Sequence, residues 1–86
     1  MSNYDPADFA RNPRKYALFR TATVSRAILT HNGADDLAAG EVVGISHLCT
    51  ARNQLYRRDE PVYTVTTANG RVWGSVYANA LADFVL

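Results

Sequence analysis

His47 and Cys49 stand two residues apart, and with His31 they are the side chains best able to hold a metal or pair a nucleophile with a base. Residues two apart on a strand share a face, so a strand here would present His47 and Cys49 together. A zinc site needs about four such ligands. The chain offers two histidines and one cysteine, so no metal is expected. Cys49 with His31 carries no local signature of an activated thiol. Ser46, His47 and Asp35 or Asp36 name the atoms of a hydrolytic triad, but no nucleophile elbow or oxyanion loop accompanies them. Gly40 and Gly70 belong to no phosphate-cradling pattern. The chain therefore reads as non-enzymatic and without a cofactor.

The remaining chemistry is recognition. Tyr56, Arg57 and Arg58 could stack on a base and grip a phosphate, as nucleic-acid-binding surfaces do. Asp59 and Glu60 follow at once, and the net charge is +1, far from the basic footprint such binding leaves. Trp73 and Tyr77 make a stronger lead, because aromatic side chains with a polar tip anchor protein interfaces and one such anchor can contribute ~2 kcal/mol. A protein partner docking on Trp73, Tyr77 and Val62 is the leading expectation, with Tyr56, Arg57 and Arg58 as the second candidate surface. Nucleic acid is the alternative partner. A chain of this size suits an inhibitor or accessory factor, for instance an anti-defence protein of a phage or other mobile element.

Several elements must position these residues. Asp5-Pro6 and Asn12-Pro13 each supply a cap residue followed by proline at a first helical position. They predict one or two short helical turns over 6–11 and 13–19, anchored by Phe9, Tyr16, Leu18 and Phe19. Residues 20–30, rich in β-branched types, read as a strand. Asn32-Gly33, the two aspartates and Gly40 mark a loop. Residues 41–48 read as a second strand, with Gly44 a bulge or close backbone approach. Residues 49–60 read as a polar connection.

Asn69-Gly70 between two alternating runs signals a two-residue type I′ hairpin. That turn would set Thr66 opposite Trp73, Tyr63 opposite Val76 and Val62 opposite Tyr77. Tyr63, Val65 and Val76 would then face the core. Trp73, Tyr77 and Val62 would share the outer face, open to a partner or covered by the N-terminal turns with Phe9 as a staple.

The order of a first strand, a long loop, the "GEVVGI" strand, a tight hairpin and the closing "YANALADFV" resembles an SH3-like small barrel over about residues 18–86. The resemblance implies a mostly β, partly open barrel spanning 20–86, with residues 1–19 as an N-terminal segment packed on it. Peptide-binding SH3 domains carry an acidic loop, matched in place by Asp35 and Asp36. Their paired tryptophans and late Pro–Tyr are not matched. "WGSVYANALADFVL" also looks like the closing segment of type II dihydrofolate reductases, which are similar barrels, but their Val-Gln-Ile-Tyr run is here Val76-Tyr77-Ala78-Asn79. The ligand-holding Gln and Ile are missing, so that enzymatic alternative is set aside.

Composition agrees with a small folded domain. Of 86 residues, 48% are apolar, which excludes a disordered chain. One cysteine excludes an intrachain disulfide framework and favours a reducing compartment. No apolar run reaches the ~20 residues of a membrane span. With no signal-peptide core near the start, a cytoplasmic location is expected. Residues 1–26 hold five basic side chains against two acidic ones, and the remainder is acidic.

Overall fold

A computed structural model describes residues 4–28 and 37–86. His31, the Asn32-Gly33 turn and the acidic pair Asp35 and Asp36 lie outside the described residues. Two short helices, α1 (Pro6–Arg11) and α2 (Pro13–Leu18), precede five strands: β1 (Thr21–Val24), β2 (Val42–Asn53), β3 (Arg58–Thr66), β4 (Val72–Tyr77) and β5 (Leu81–Val85). A single 3₁₀ turn, Ala78–Ala80, leads into β5. The strands form one antiparallel sheet in the order β4-β3-β2-β1-β5, curled into a partly open, barrel-like body.

The helices start where the prolines place them. Asp5 caps α1 by accepting a hydrogen bond from the Ala7 amide at 2.9 Å, satisfying one of the donors every helix start leaves open. β2 serves both halves of the sheet, since Val42–Gly44 pair with β1 while Gly44–Asn53 pair with β3. Gly44 is neither a bulge nor a close approach. It sits in register with both neighbours, and a Cβ there would meet Thr66 O at an ordinary 3.7 Å. The polar connection expected over 49–60 is instead the paired end of β2 and the start of β3, joined by a tight turn over 54–57.

Ala22, Val24, Val43, Ile45, Tyr63, Val65, Val76 and Leu81 are buried together as the core. A ring cluster extends it beneath the helices. Tyr16 meets Tyr4, Phe9, Phe19 and Phe84 edge-on at 5.2–5.7 Å between centroids, a geometry worth ~0.5–1.5 kcal/mol per pair beyond burial. Phe9 takes Tyr16 as its ring partner, so it does not staple Trp73. The Tyr63 hydroxyl, fully buried, donates to the Tyr16 carbonyl at 2.6 Å and ties α2 to β3.

The hairpin between β3 and β4 departs from the expected register. Thr67 N–H donates to Arg71 O at 2.9 Å and Gly70 N–H to Thr67 O at 3.0 Å, closing a three-residue loop of Ala68, Asn69 and Gly70. Only Gly70 of these takes a positive φ, +86°, as a type I turn followed by a G1 bulge requires. Thr67 Oγ1 favours this loop, accepting from Arg71 N–H at 3.1 Å and donating to Asn69 Oδ1. The extra loop residue pairs Thr66 with Val72 and Val65 with Trp73, not Thr66 with Trp73. Gly74 and Ser75 then oppose Thr64 alone, Ser75 at φ 59°. This bulge restores the expected Tyr63–Val76 and Val62–Tyr77 pairs.

Candidate functional site

The register correction moves Trp73 to the core side. Opposite buried Val65, its ring is half-buried against the core, with the Arg71 guanidinium 5.2 Å from its centre. Val72 is the exposed residue instead, at 64%. Val62 is 2% exposed and cannot form a docking face. Along Glu60–Tyr63 every residue is buried, so both faces of β3 are covered there. Tyr77 stays partly exposed, its hydroxyl donating to Arg52 O at 3.3 Å.

Trp73 and Tyr77 nevertheless meet at one place. A groove of about 480 Å³ runs beside β4, bordered by Trp73 through Tyr77 on one side and Arg26, Ala27 and Ile28 on the other. Asn53 and Leu55 from the β2–β3 turn, with Asn79 and Ala80 from the 3₁₀ turn, complete it. Leu55 is 77% exposed, an aliphatic side chain held at the surface. Its turn is fixed by Asn53, whose Oδ1 accepts the Leu55 amide at 3.1 Å.

Tyr56, Arg57 and Arg58 adjoin this groove through the bond of Tyr56 to Arg26. Arg58 Nε pairs with the fully buried Glu60 at 2.7 Å, and its guanidinium stacks 4.8 Å from the Tyr56 ring centre. Taking Arg58 away from Glu60 would leave a buried carboxylate uncompensated. Arg57 holds the turn at φ 53° and is exposed. Arg26 joins the two candidate surfaces: one terminal nitrogen donates to Tyr56 Oη at 3.4 Å and the other to Asn79 Oδ1 at 2.9 Å. Arg26 with Ile28, Leu55 and Asn79 come from three separate stretches of chain, and no spacing in the sequence announces them.

Of the residues considered for metal or nucleophilic chemistry, the described pair His47 and Cys49 is not brought to one face. A register shift falls between His47 and Cys49, which pair with adjacent residues Tyr63 and Val62 and so point to opposite faces. The His47 ring rests edge-on to Tyr63 at 5.8 Å, and Cys49 is exposed. Among the described residues no three His, Cys, Asp or Glu side chains gather as a metal site would need. Val76 and Ala78, the positions around Tyr77 in the run compared with the reductases, are buried.

A second, more polar depression lies under the helices, where Asp8 is the centre of a network. Lys15 Nζ lies 2.7 Å from it, Tyr16 Oη donates at 2.7 Å and Asn12 Nδ2 at 3.3 Å. These bonds, that of Lys15 foremost, hold the Asp8 carboxyl at about 2, below its usual range. Burial pushes the Tyr4, Tyr16 and Tyr63 phenols well above the usual tyrosine value, so all three stay neutral, and Tyr16 and Tyr63 donate. The Asp8 carboxylate is thus answered within the fold, while the Tyr4 hydroxyl in the same depression is buried without a partner.

Among the described residues no helix is long and apolar enough to cross a membrane. Comparison with known proteins finds no family model, no curated protein and no solved structure that matches the chain.

Proposed function

We propose that the chain is a non-enzymatic protein-interaction module, an SH3-like barrel that acts by occupying a partner's surface through the groove beside β4. The strand order with a 3₁₀ turn before β5 supports the SH3-like assignment. The single observation carrying the function is that Trp73, Tyr77 and the exposed Leu55 border one open groove, drawn from four parts of the chain. Large side chains lining a concave surface with few polar groups suit docking. The nucleic-acid reading is weaker, because Arg58 is committed to Glu60.

Photo-crosslinking tests this. A photoreactive side chain at Leu55 should form a covalent adduct with a specific protein in cells of the source organism. The same group at Leu18, exposed on α2, should not. Equal labelling from both positions, or none from Leu55, removes the reading.

A further inference from the structure

Resting on that reading, we infer that the groove recognises an acidic segment of its partner: an extended peptide carrying a Glu or Asp beside an apolar side chain. The reason is the state of Arg26. Its guanidinium is held at the groove wall by two hydrogen bonds, to Tyr56 Oη and Asn79 Oδ1. Both acceptors are neutral. Among the described residues no carboxylate lies within ion-pair distance of it, and Arg26 is the only charged side chain among those lining the groove.

An arginine has five N–H donors in a planar fork, so two neutral acceptors fix its direction and leave donors for a carboxylate. The cost of immobilising a long side chain is met within the fold, which is how preorganisation raises affinity. Arg58 is balanced by Glu60 and adds no net charge, so the sign rests on Arg26. Arg58 lies over Tyr56 and Arg71 over Trp73, the latter lining the same groove. Between them Ile28, Leu55, Trp73 and Tyr77 offer apolar wall for the neighbouring side chain of the partner. The Asn79 carboxamide, lining the same groove, holds Arg26 in place through its Oδ1.

The test uses short peptides with both ends capped, so that no terminal carboxylate competes, alternating leucine with glutamate, glutamine or lysine. A mixed-sequence oligonucleotide is the polyanion control. Binding is followed by the fluorescence of Trp73, the chain's single tryptophan, and by backbone amide shifts. The glutamate peptide should bind about tenfold more tightly than the glutamine peptide, the equivalent of one charge-assisted contact, with shifts centred on Arg26, Leu55, Trp73 and Tyr77. The lysine peptide should bind weakest. Arg26→Glu should reverse the order of the charged peptides while keeping a folded amide spectrum, a result that loss of structure cannot produce. Equal binding of all three peptides would overturn the inference, as would no groove shifts from any of them or tighter binding of the oligonucleotide. A Leu55 crosslink obtained alongside such a failure would leave the interaction-module reading standing with a partner of other chemistry.

Discussion

Replacing Tyr63 by Phe removes one oxygen and leaves the ring where it packs, 5.8 Å from Phe84 and fully buried. That oxygen is the donor to the Tyr16 carbonyl, at 2.6 Å. Tyr16 stands in the last turn of α2, where a helix has no amide of its own to offer its carbonyls. The amide that would come next in the series, Arg20 N–H, donates to Val85 O instead. The substitution therefore orphans an acceptor on a residue only 4% exposed. An intramolecular hydrogen bond contributes ~1 kcal/mol net, and a stranded buried partner adds its desolvation, giving about 2 kcal/mol. For a domain of this size each kcal/mol moves the melting temperature by ~4–8 °C, so a fall of about 8–16 °C is expected by circular dichroism. Tyr16→Phe, which removes only the half-exposed bond to Asp8, should cost less, ~0.5–1.5 kcal/mol. A Tyr63→Phe melting temperature within about 2 °C of the wild type would refute the claim that this bond ties the helices to the sheet.

Trp73→Ala should cost about 2 kcal/mol, roughly half the value for a fully buried ring, while Val72→Ala stays within ~0.5 kcal/mol; urea denaturation giving the opposite order would restore the register first read from the sequence. Arg58→Ala should destabilise by about 3 kcal/mol, because it strands the Glu60 carboxylate in the interior, and the same denaturation curve measures it. Asp8 titrates at about 2 when folded against 3.8 ordinarily, so its stabilisation is complete above 3.8 and lost as pH falls toward 2. Asp8→Asn should flatten that limb of the melting temperature against pH. Gly70→Val should cost ~1 kcal/mol or more, since a β-branched residue resists φ +86°; calorimetry showing no change would mean the loop can re-form without a positive φ.

Short-range chemistry was legible wherever one residue type decides the backbone. Asp5-Pro6 and Asn12-Pro13 mark the starts of α1 and α2 to the residue, whereas the pairs Tyr63–Val76 and Val62–Tyr77 match the expectation only because the Gly74–Ser75 bulge cancels the longer loop. The hairpin loop was misread because Asn69-Gly70 suits two turn types, and the choice between them rests on the Thr67 hydroxyl just outside the pair. One residue of slip is enough to turn a side chain over, which is why Trp73 changed sides and Val72 took its place. The second half of β2 was hidden because Cys49, Arg52 and Asn53 have little strand preference of their own. They are held extended by pairing with Arg58–Val62, and partners of that kind override propensity. Alternation puts Val62 outside because it assumes one covered face, whereas Glu60–Tyr63 of β3 are buried on both. The groove was not legible at all as a unit. Trp73 and Tyr77 could be singled out by type, whereas Arg26 acquires its role only when folding sets it between Tyr56 and Asn79.

The seam between β1 and β5 gives the barrel a mechanical weak direction. The strands run antiparallel, with Thr21 at the start of β1 paired to Val85 at the end of β5 and Val24 to Leu81 at the far end. The two points where chain enters β1 and leaves β5 therefore lie side by side at one end of the seam. Tension applied across them peels the strands like a zipper, loading Arg20 N–H to Val85 O first and each later hydrogen bond alone. The β2–β3 ladder, continuous over much of both strands, takes no load until the seam has opened. A molecule pulled this way should yield at low force in two events, with the release of β1 from β5 preceding rupture of the remaining sheet.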